Sequence, residues 1–302
     1  AHLTTHLSQR GPVIVDTKGL DRKRSILHPY QCSFAARCRL LSACRTHQDR
    51  LEGRTRPMNS TLSPSDLIRM HLARVSELRD QAQANGMRAA VDEIKQLQAR
   101  RFRGTYGDFL VHPKYAAATR FFLDELYGIH DFERRDAQFG RIAGALERLF
   151  PEAVSQLAVD LAETHALTEV LDHQLATHWL DVDSTLSPAE RYVLAWRRTG
   201  PRTARERQLT VVLHMGMELQ RLTRMKTLRL GLRMMRNPAR AAGLDALQQF
   251  LESGFDAFSS LGDARPFLDA IKQREFFWVD ALFDEDLESC VRRFSEEVCR
   301  EA

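Results

Sequence analysis

His165, Glu169 and His173 recur every four residues, so on a helix they line one side. Imidazole and carboxylate at that spacing can share a metal ion or a small ligand, and Glu163 and Asp172 add acid beside them. Di-iron bundles, however, place a Glu-x-x-His pair on each of two helices. No Glu-x-x-His occurs here, and Glu169 to His173 is one residue too long. The stripe also runs beside the apolar positions of its helix rather than among them. A solvated acidic edge is the preferred reading, with ligand or metal binding by His165, Glu169 and His173 as the alternative. No metal site is assigned.

A second constellation surrounds Asp136. It falls four residues after Phe132 and three before Phe139, at the edge of an apolar helical stripe. A carboxylate there needs a partner, and Arg120 and Arg135 are the candidates. A buried salt bridge that fixes helix packing is preferred to a catalytic aspartate, so no catalytic residue is assigned.

The third feature is basic. Residues 202–240 hold ten Lys/Arg against Glu206 and Glu218 alone. Arg229, Arg233, Arg236 and Arg240 form an anion-binding candidate at spacings of four, three and four. Asn237-Pro238 threatens to turn Arg240 out of line. An acidic cluster, Asp280, Asp284, Glu285, Asp286 and Glu288, offers intramolecular partners. No recognised nucleic-acid motif accompanies the stripe, so charge pairing or a solvated face is preferred to a phosphate-rich partner. Dinucleotide-binding, phosphate-loop, nucleophile-elbow and His-Glu-x-x-His motifs are absent. His214 beside Gly216 is too little to argue for haem, and no cofactor is implied.

The most distinctive local run is Arg120-Phe121-Phe122-Leu123-Asp124-Glu125-Leu126-Tyr127-Gly128, followed by Asp131, Arg135 and Asp136. Three bulky apolar residues in a row cover more than half of a helix circumference, so this segment is expected to be largely buried. The run resembles the motif of an uncharacterised bacterial family named for Phe-Phe-Leu-Glu-Glu-Leu-Tyr, with Asp124 at the first acidic position. The likeness extends through Glu169-Val170-Leu171-Asp172 and Phe250-Leu251-Glu252-Ser253-Gly254-Phe255, over roughly residues 100–280. It implies a bacterial origin and carries no established activity, cofactor or catalytic residue.

The elements that must position these groups are helices. Ser63 or Ser65 caps the first, with Pro64 in its first turn. Further helices are expected over Met87–Arg101, Lys114–Tyr127 with Gly128 as C-cap, a stretch capped by Asp131, and a long one after Pro151. Others follow from Ser187-Pro188 to Gly200-Pro201, from about Arg202 to Arg236, and in three stripes beyond Pro238. The expected architecture is all-α: one compact domain over residues 58–302, of about nine or ten helices. Residues 1–57 lack a helical period and read as an irregular extension ahead of a natural start at Met58. They hold eleven Lys/Arg and four Asp/Glu, leaving 33 basic and 36 acidic residues after them, so the net charge of +4 belongs to the extension. No apolar run is long enough for a membrane span. Five cysteines, an odd count without a disulfide framework or secretory signal, point to a reducing cytoplasm. Cys32, Cys38 and Cys44 lack zinc spacing.

With simple enzyme motifs missing, the leading expectation is a non-enzymatic protein–protein contact or scaffold role, with a homodimer or protein partner docking on Phe276, Phe277, Trp278 and Phe283. The first alternative is a helical-bundle enzyme or sensor that binds a metal, haem or small apolar ligand. The second is nucleic-acid binding through residues 202–240. Neither a membrane nor nucleic acid is the favoured partner.

Overall fold

The computed structural model describes residues 62–126 and 132–300, and within them the chain is helical with no strand. Thirteen α-helices are present among the described residues. They are α1 (Pro64–Ala84), α2 (Arg88–Thr105), α3 (Gly107–Val111), α4 (Ala116–Phe121), α5 (Glu133–Leu149), α6 (Glu152–Asp181) and α7 (Pro188–Arg198). The rest are α8 (Arg202–Thr223), α9 (Lys226–Met234), α10 (Arg236–Ala241), α11 (Asp245–Leu261), α12 (Arg265–Asp284) and α13 (Leu287–Cys299). A π-helical segment, Phe122–Leu126, continues α4. The expected extension over residues 1–57 lies outside the described residues, as do Tyr127, Gly128 and Asp131. No helix among the described residues is long and apolar enough to cross a membrane.

Local chemistry explains the starts. The Ser63 and Ser187 hydroxyls accept from the Asp66 and Glu190 amides, each with proline in the first turn. Asp286 caps α13 through the Ser289 amide. Phe132 occupies the N-cap of α5 and supplies no side-chain bond, and the expected cap at Asp131 lies outside the described residues.

The count of about nine or ten helices is corrected upward for three reasons. The single helix expected over residues 202–236 divides where Met225 turns to extended geometry, giving α8 and α9. Pro238 does not end a helix but sits in the first turns of the short α10, where its missing N–H is tolerated. The stretch between the helices expected over Met87–Arg101 and Lys114–Tyr127, which holds Gly104 and Gly107, is the end of α2 and a one-turn α3, anchored by Phe109 stacked on Phe267 with ring centroids 5.5 Å apart.

Gly104 has a specific task. A Cβ at this position would overlap the backbone carbonyl of Glu297, so glycine lets α2 and α13 pack backbone to backbone. Because that neighbour is main chain, it cannot rotate away. Gly104→Ala is therefore expected to destabilise the fold by about 1–3 kcal/mol, read by urea denaturation. An unchanged midpoint would show that the two helices do not approach this closely.

The architecture is organised around α6, which packs against α1, α2, α5, α7 and α8. Its N-terminal half enters a core cluster with Ile68, Phe139 and Phe250. Its C-terminal half enters another with Trp179, Trp196, Trp278 and Phe294. Between the apolar stretches lie Thr164, His165, Thr168, Glu169 and Asp172. A third cluster, with Phe109, Phe258 and Phe267, fills the space between α3, α4, α11 and α12.

The aromatics expected to form a docking surface do not do so. Trp278 is 3% exposed and donates from Nε1 to Thr105 Oγ1 at 3.0 Å. Phe283 packs against the core, and Phe276 is half-buried. Phe277 alone is exposed, at 46%, with the Arg293 guanidinium 5.2 Å from its ring centroid. The reason is that α12 is covered from several sides, by α7, α8 and the core cluster shared with α13.

Candidate functional site

Five elements bring charged groups to the middle of α6. Asp136, in the first turn of α5, and His165 of α6 meet with Oδ2 and Nε2 2.9 Å apart. Arg79 of α1 reaches the same carboxylate oxygen at 2.9 Å and lies 3.9 Å from Glu169 Oε1. Lys95 of α2 pairs with Glu169 at 2.7 Å. One turn on, Gln98 donates to Asp172 Oδ1 at 3.1 Å. Arg135 approaches from the opposite side, donating to the Glu125 carbonyl at 2.8 Å and standing 3.6 Å from its carboxylate and 3.7 Å from Asp136.

Burial makes these charges interdependent. Burial alone raises the pKa of Asp136, but the His165 hydrogen bond and the charges of His165, Arg79 and Arg135 outweigh it and hold the carboxyl below its ordinary value. An ionised Asp136 can only accept hydrogen bonds. Asp172 goes the other way: burial dominates over Lys95 and Arg205 and raises its pKa. Burial likewise lowers that of Arg135 against the opposing pull of Asp136 and Glu125. Two carboxyls lining one cavity, Asp136 of α5 and Asp172 of α6, thus have pKa values shifted in opposite directions.

These groups enclose a chamber of ≈ 70 Å³. Beside it is a second chamber of ≈ 140 Å³, walled by Phe121, Phe122, Phe258 and aliphatic residues of α5, α6, α8 and α11. Phe139, Leu161, Val212, Met215, Leu247 and Phe250 line both. The charged chamber and the apolar one are therefore neighbours that share six wall residues.

The acidic-edge reading of the α6 stripe is corrected. Glu169 and Asp172 are 7% and 1% exposed. Helices pack on both sides of α6 at these turns, and periodicity judged on one face cannot show that. His165 faces the chamber, whereas His173 is half-buried, does not line it, and has an Nδ1 without a hydrogen-bond partner. His165, Glu169 and His173 consequently do not converge as a metal set; no group of three or more His, Cys, Asp or Glu among the described residues does.

The expectation that Asp136 is paired and buried holds, but its nearest partners come from distant helices. Arg135 contributes as expected. Arg120 does not: it is exposed and donates to the Leu110 carbonyl at 3.3 Å. In the Phe121–Tyr127 run, Phe121 packs on Phe250 and Phe122 on Phe258, with centroids 5.5 and 5.7 Å apart. Leu123 is buried and Asp124 exposed, while Glu125 faces the charged chamber. Leu126 ends the π segment. A Cβ at Gly254 would come within 2.7 Å of Phe121 Cζ, so this glycine makes room for the motif ring. The π-helical geometry widens the helix by one residue per turn, a feature frequent at functional sites.

The basic stripe is divided and partly neutralised. Arg229 pairs with Asp256 at 3.1 Å and Arg236 with Glu252 at 2.7 Å, both acids on α11. Arg233 remains exposed on α9, and Arg240 is exposed on α10. The acidic cluster meets the basic run at Arg202, through Asp280 and Asp284, and also takes Arg293, through Glu285. His214 is exposed and 3.3 Å from Asp160, and Gly216 exists for the close packing of Leu268 rather than for a flat ligand.

Arg79, Lys95, Gln98 and Thr164 were not signalled by spacing. Arg79 lies four residues after the buried Val75, and Lys95 follows the buried Ile94, so both read as the solvated margins of amphipathic helices.

A family model described as a domain of unknown function, DUF8198, matches residues 77–289. This chain belongs to the DUF8198 family. No curated protein and no solved structure matches it. Every charged residue lining the chamber in this DUF8198 domain, from Lys95 to Asp172, lies within the matched segment, as does Arg79, the partner of Asp136.

Proposed function

We propose that this DUF8198 protein binds a small amphipathic molecule inside its helical bundle, with the polar end of the ligand against Asp136, His165 and Glu169 and its apolar body among Phe121, Phe122 and Phe258. The observation that carries this reading is that the two chambers are neighbours sharing six wall residues. A structural salt-bridge network needs no adjoining apolar cavity, and a tightly packed core holds few voids larger than a water molecule. A concave, mostly apolar site with a few convergent polar groups is what a small ligand requires. Phe121, Phe122 and Glu125 of the motif then act as walls of the site, with the two phenyl rings in the apolar chamber and Glu125 in the charged one. The same reading makes residues 58–302 the binding domain, and it extends to this chain the bacterial family likeness of that motif.

Met215 lines both chambers. Met215→Trp fills both sides and is expected to abolish binding of a neutral naphthylamine fluorophore while leaving the far-ultraviolet circular dichroism unchanged. Retention of full fluorescence enhancement in a folded Met215→Trp protein would overturn the internal site. Mass spectrometry of the protein under native conditions, followed by solvent extraction, identifies any molecule carried through purification.

A further inference from the structure

We infer that the ligand carries an uncharged hydrogen-bonding head group, such as a hydroxyl or primary amide, on a short apolar body; this rests on the ligand-binding reading above.

The charged chamber is already balanced. Asp136 meets Arg79 at 2.9 Å, Glu169 meets Lys95 at 2.7 Å, and Glu125 meets Arg135 at 3.6 Å. Asp172 accepts from Gln98, and the charge of Arg205 acts on it. His165 is already engaged by Asp136. A carboxylate or ammonium head would bring an uncompensated charge into a site with no surplus of the opposite sign, and an unpaired buried charge is strongly unfavourable. An uncharged polar head leaves each pair intact.

One wall group awaits such a head. Thr164 is buried, lines the charged chamber, and its Oγ1 has no hydrogen-bond partner. Helical threonines elsewhere in this chain satisfy themselves by bonding back to the carbonyl four residues earlier: Thr119 to Tyr115, Thr168 to Thr164, Thr177 to His173 and Thr210 to Glu206. Thr164 departs from that habit on the wall of the cavity. Its hydroxyl both donates and accepts, which suits an amide or alcohol.

Size sets the body. The apolar chamber, at ≈ 140 Å³, resembles in volume a dry cavity of about 150 Å³ that accommodates benzene. The charged chamber, at ≈ 70 Å³, has space for a small head group. A single ring or short alkyl chain bearing one polar group fits both.

The test titrates the full chain at neutral pH with octanamide, octanoate and octylamine, each followed directly by isothermal titration calorimetry. Octanamide is expected to bind at least about tenfold tighter than either ion. Thr164→Val is expected to weaken octanamide by about tenfold, the value of one hydrogen bond, while its melting temperature confirms the fold. Tightest binding by octanoate or octylamine overturns the uncharged head group and leaves the binding site standing. Equal octanamide affinity in Thr164→Val overturns the role of Thr164. If neither the fluorophore nor any of the three compounds binds, the ligand-binding reading itself is overturned.

Discussion

Replacing Glu275 by alanine is expected to lower stability by about 3–5 kcal/mol. Arg101 of α2 and Glu275 of α12 form a two-pronged pair, Nη1 to Oε1 at 2.8 Å and Nη2 to Oε2 at 2.9 Å. Tyr106 donates to the same carboxylate at 2.7 Å, and the guanidinium lies 3.8 Å from the Phe102 ring centroid. Burial pulls the Arg101 pKa down, but the charge and hydrogen bonds of Glu275 overcome it and raise it, so the arginine stays charged in the folded chain. Removing the carboxylate strands that charge in the core. Replacing both partners, as Arg101→Met with Glu275→Leu, removes the desolvation penalty as well and should recover most of the loss. Urea denaturation of the single and double variants measures both effects. A loss below about 1 kcal/mol in the single variant would mean that the pair behaves as a surface ion pair.

Asp136→Asn is expected to cost about 3 kcal/mol at neutral pH, within the range for breaking a buried pair, because Arg79, Arg135 and His165 all face this carboxylate. The pH dependence separates charge from shape. The folded pKa of Asp136 lies below its ordinary value of 3.8. Its contribution is therefore fully present above that ordinary value and is lost as pH falls through the lower folded one. Wild-type stability should decline on this acid limb, and the Asp136→Asn protein should lack that part of the slope. Equal acid slopes in the two proteins would show that Asp136 does not hold the lowered pKa. The same variant is informative about binding: asparagine can still hydrogen-bond to His165, but it leaves the chamber with a net positive charge. An anionic probe should then gain affinity relative to a neutral one.

The two effects share a cause. Both carboxylates are joined to bases on other helices, and their value comes from the low-dielectric setting that packing creates. Glu275 sits in a closed, fully paired network between α2 and α12. Asp136 sits on the wall of a cavity beside an unpartnered hydroxyl and an apolar chamber. The first arrangement explains stability; the second leaves room for a molecule.

Much of the local structure was legible in the residues. Ser63-Pro64 and Ser187-Pro188 marked helix starts because capping uses atoms within three residues of each other. Pro151 and Gly200-Pro201 marked boundaries because proline and glycine act through their own backbone. The pairing of Asp136 with Arg135 was legible because the two are adjacent. The all-α class followed from apolar stripes of helical period, which depend only on neighbours along one helix.

Tertiary structure decided the rest. The contacts that form the site join residues 29 apart at Asp136–His165 and 74 apart at Lys95–Glu169, and the stabilising Arg101–Glu275 pair joins residues 174 apart. No spacing rule spans such separations. A one-face reading of α6 left Glu169 and Asp172 in solvent, and only the packing of helices on both of its sides put them in the core. The same is true of Trp278, whose apparent excess of aromatic surface disappears once α7 and α13 close over it. The sequence determined which segments coil and where they begin, through interactions one or two turns long. The fold determined which charges lose their water, and with that where a ligand can be held.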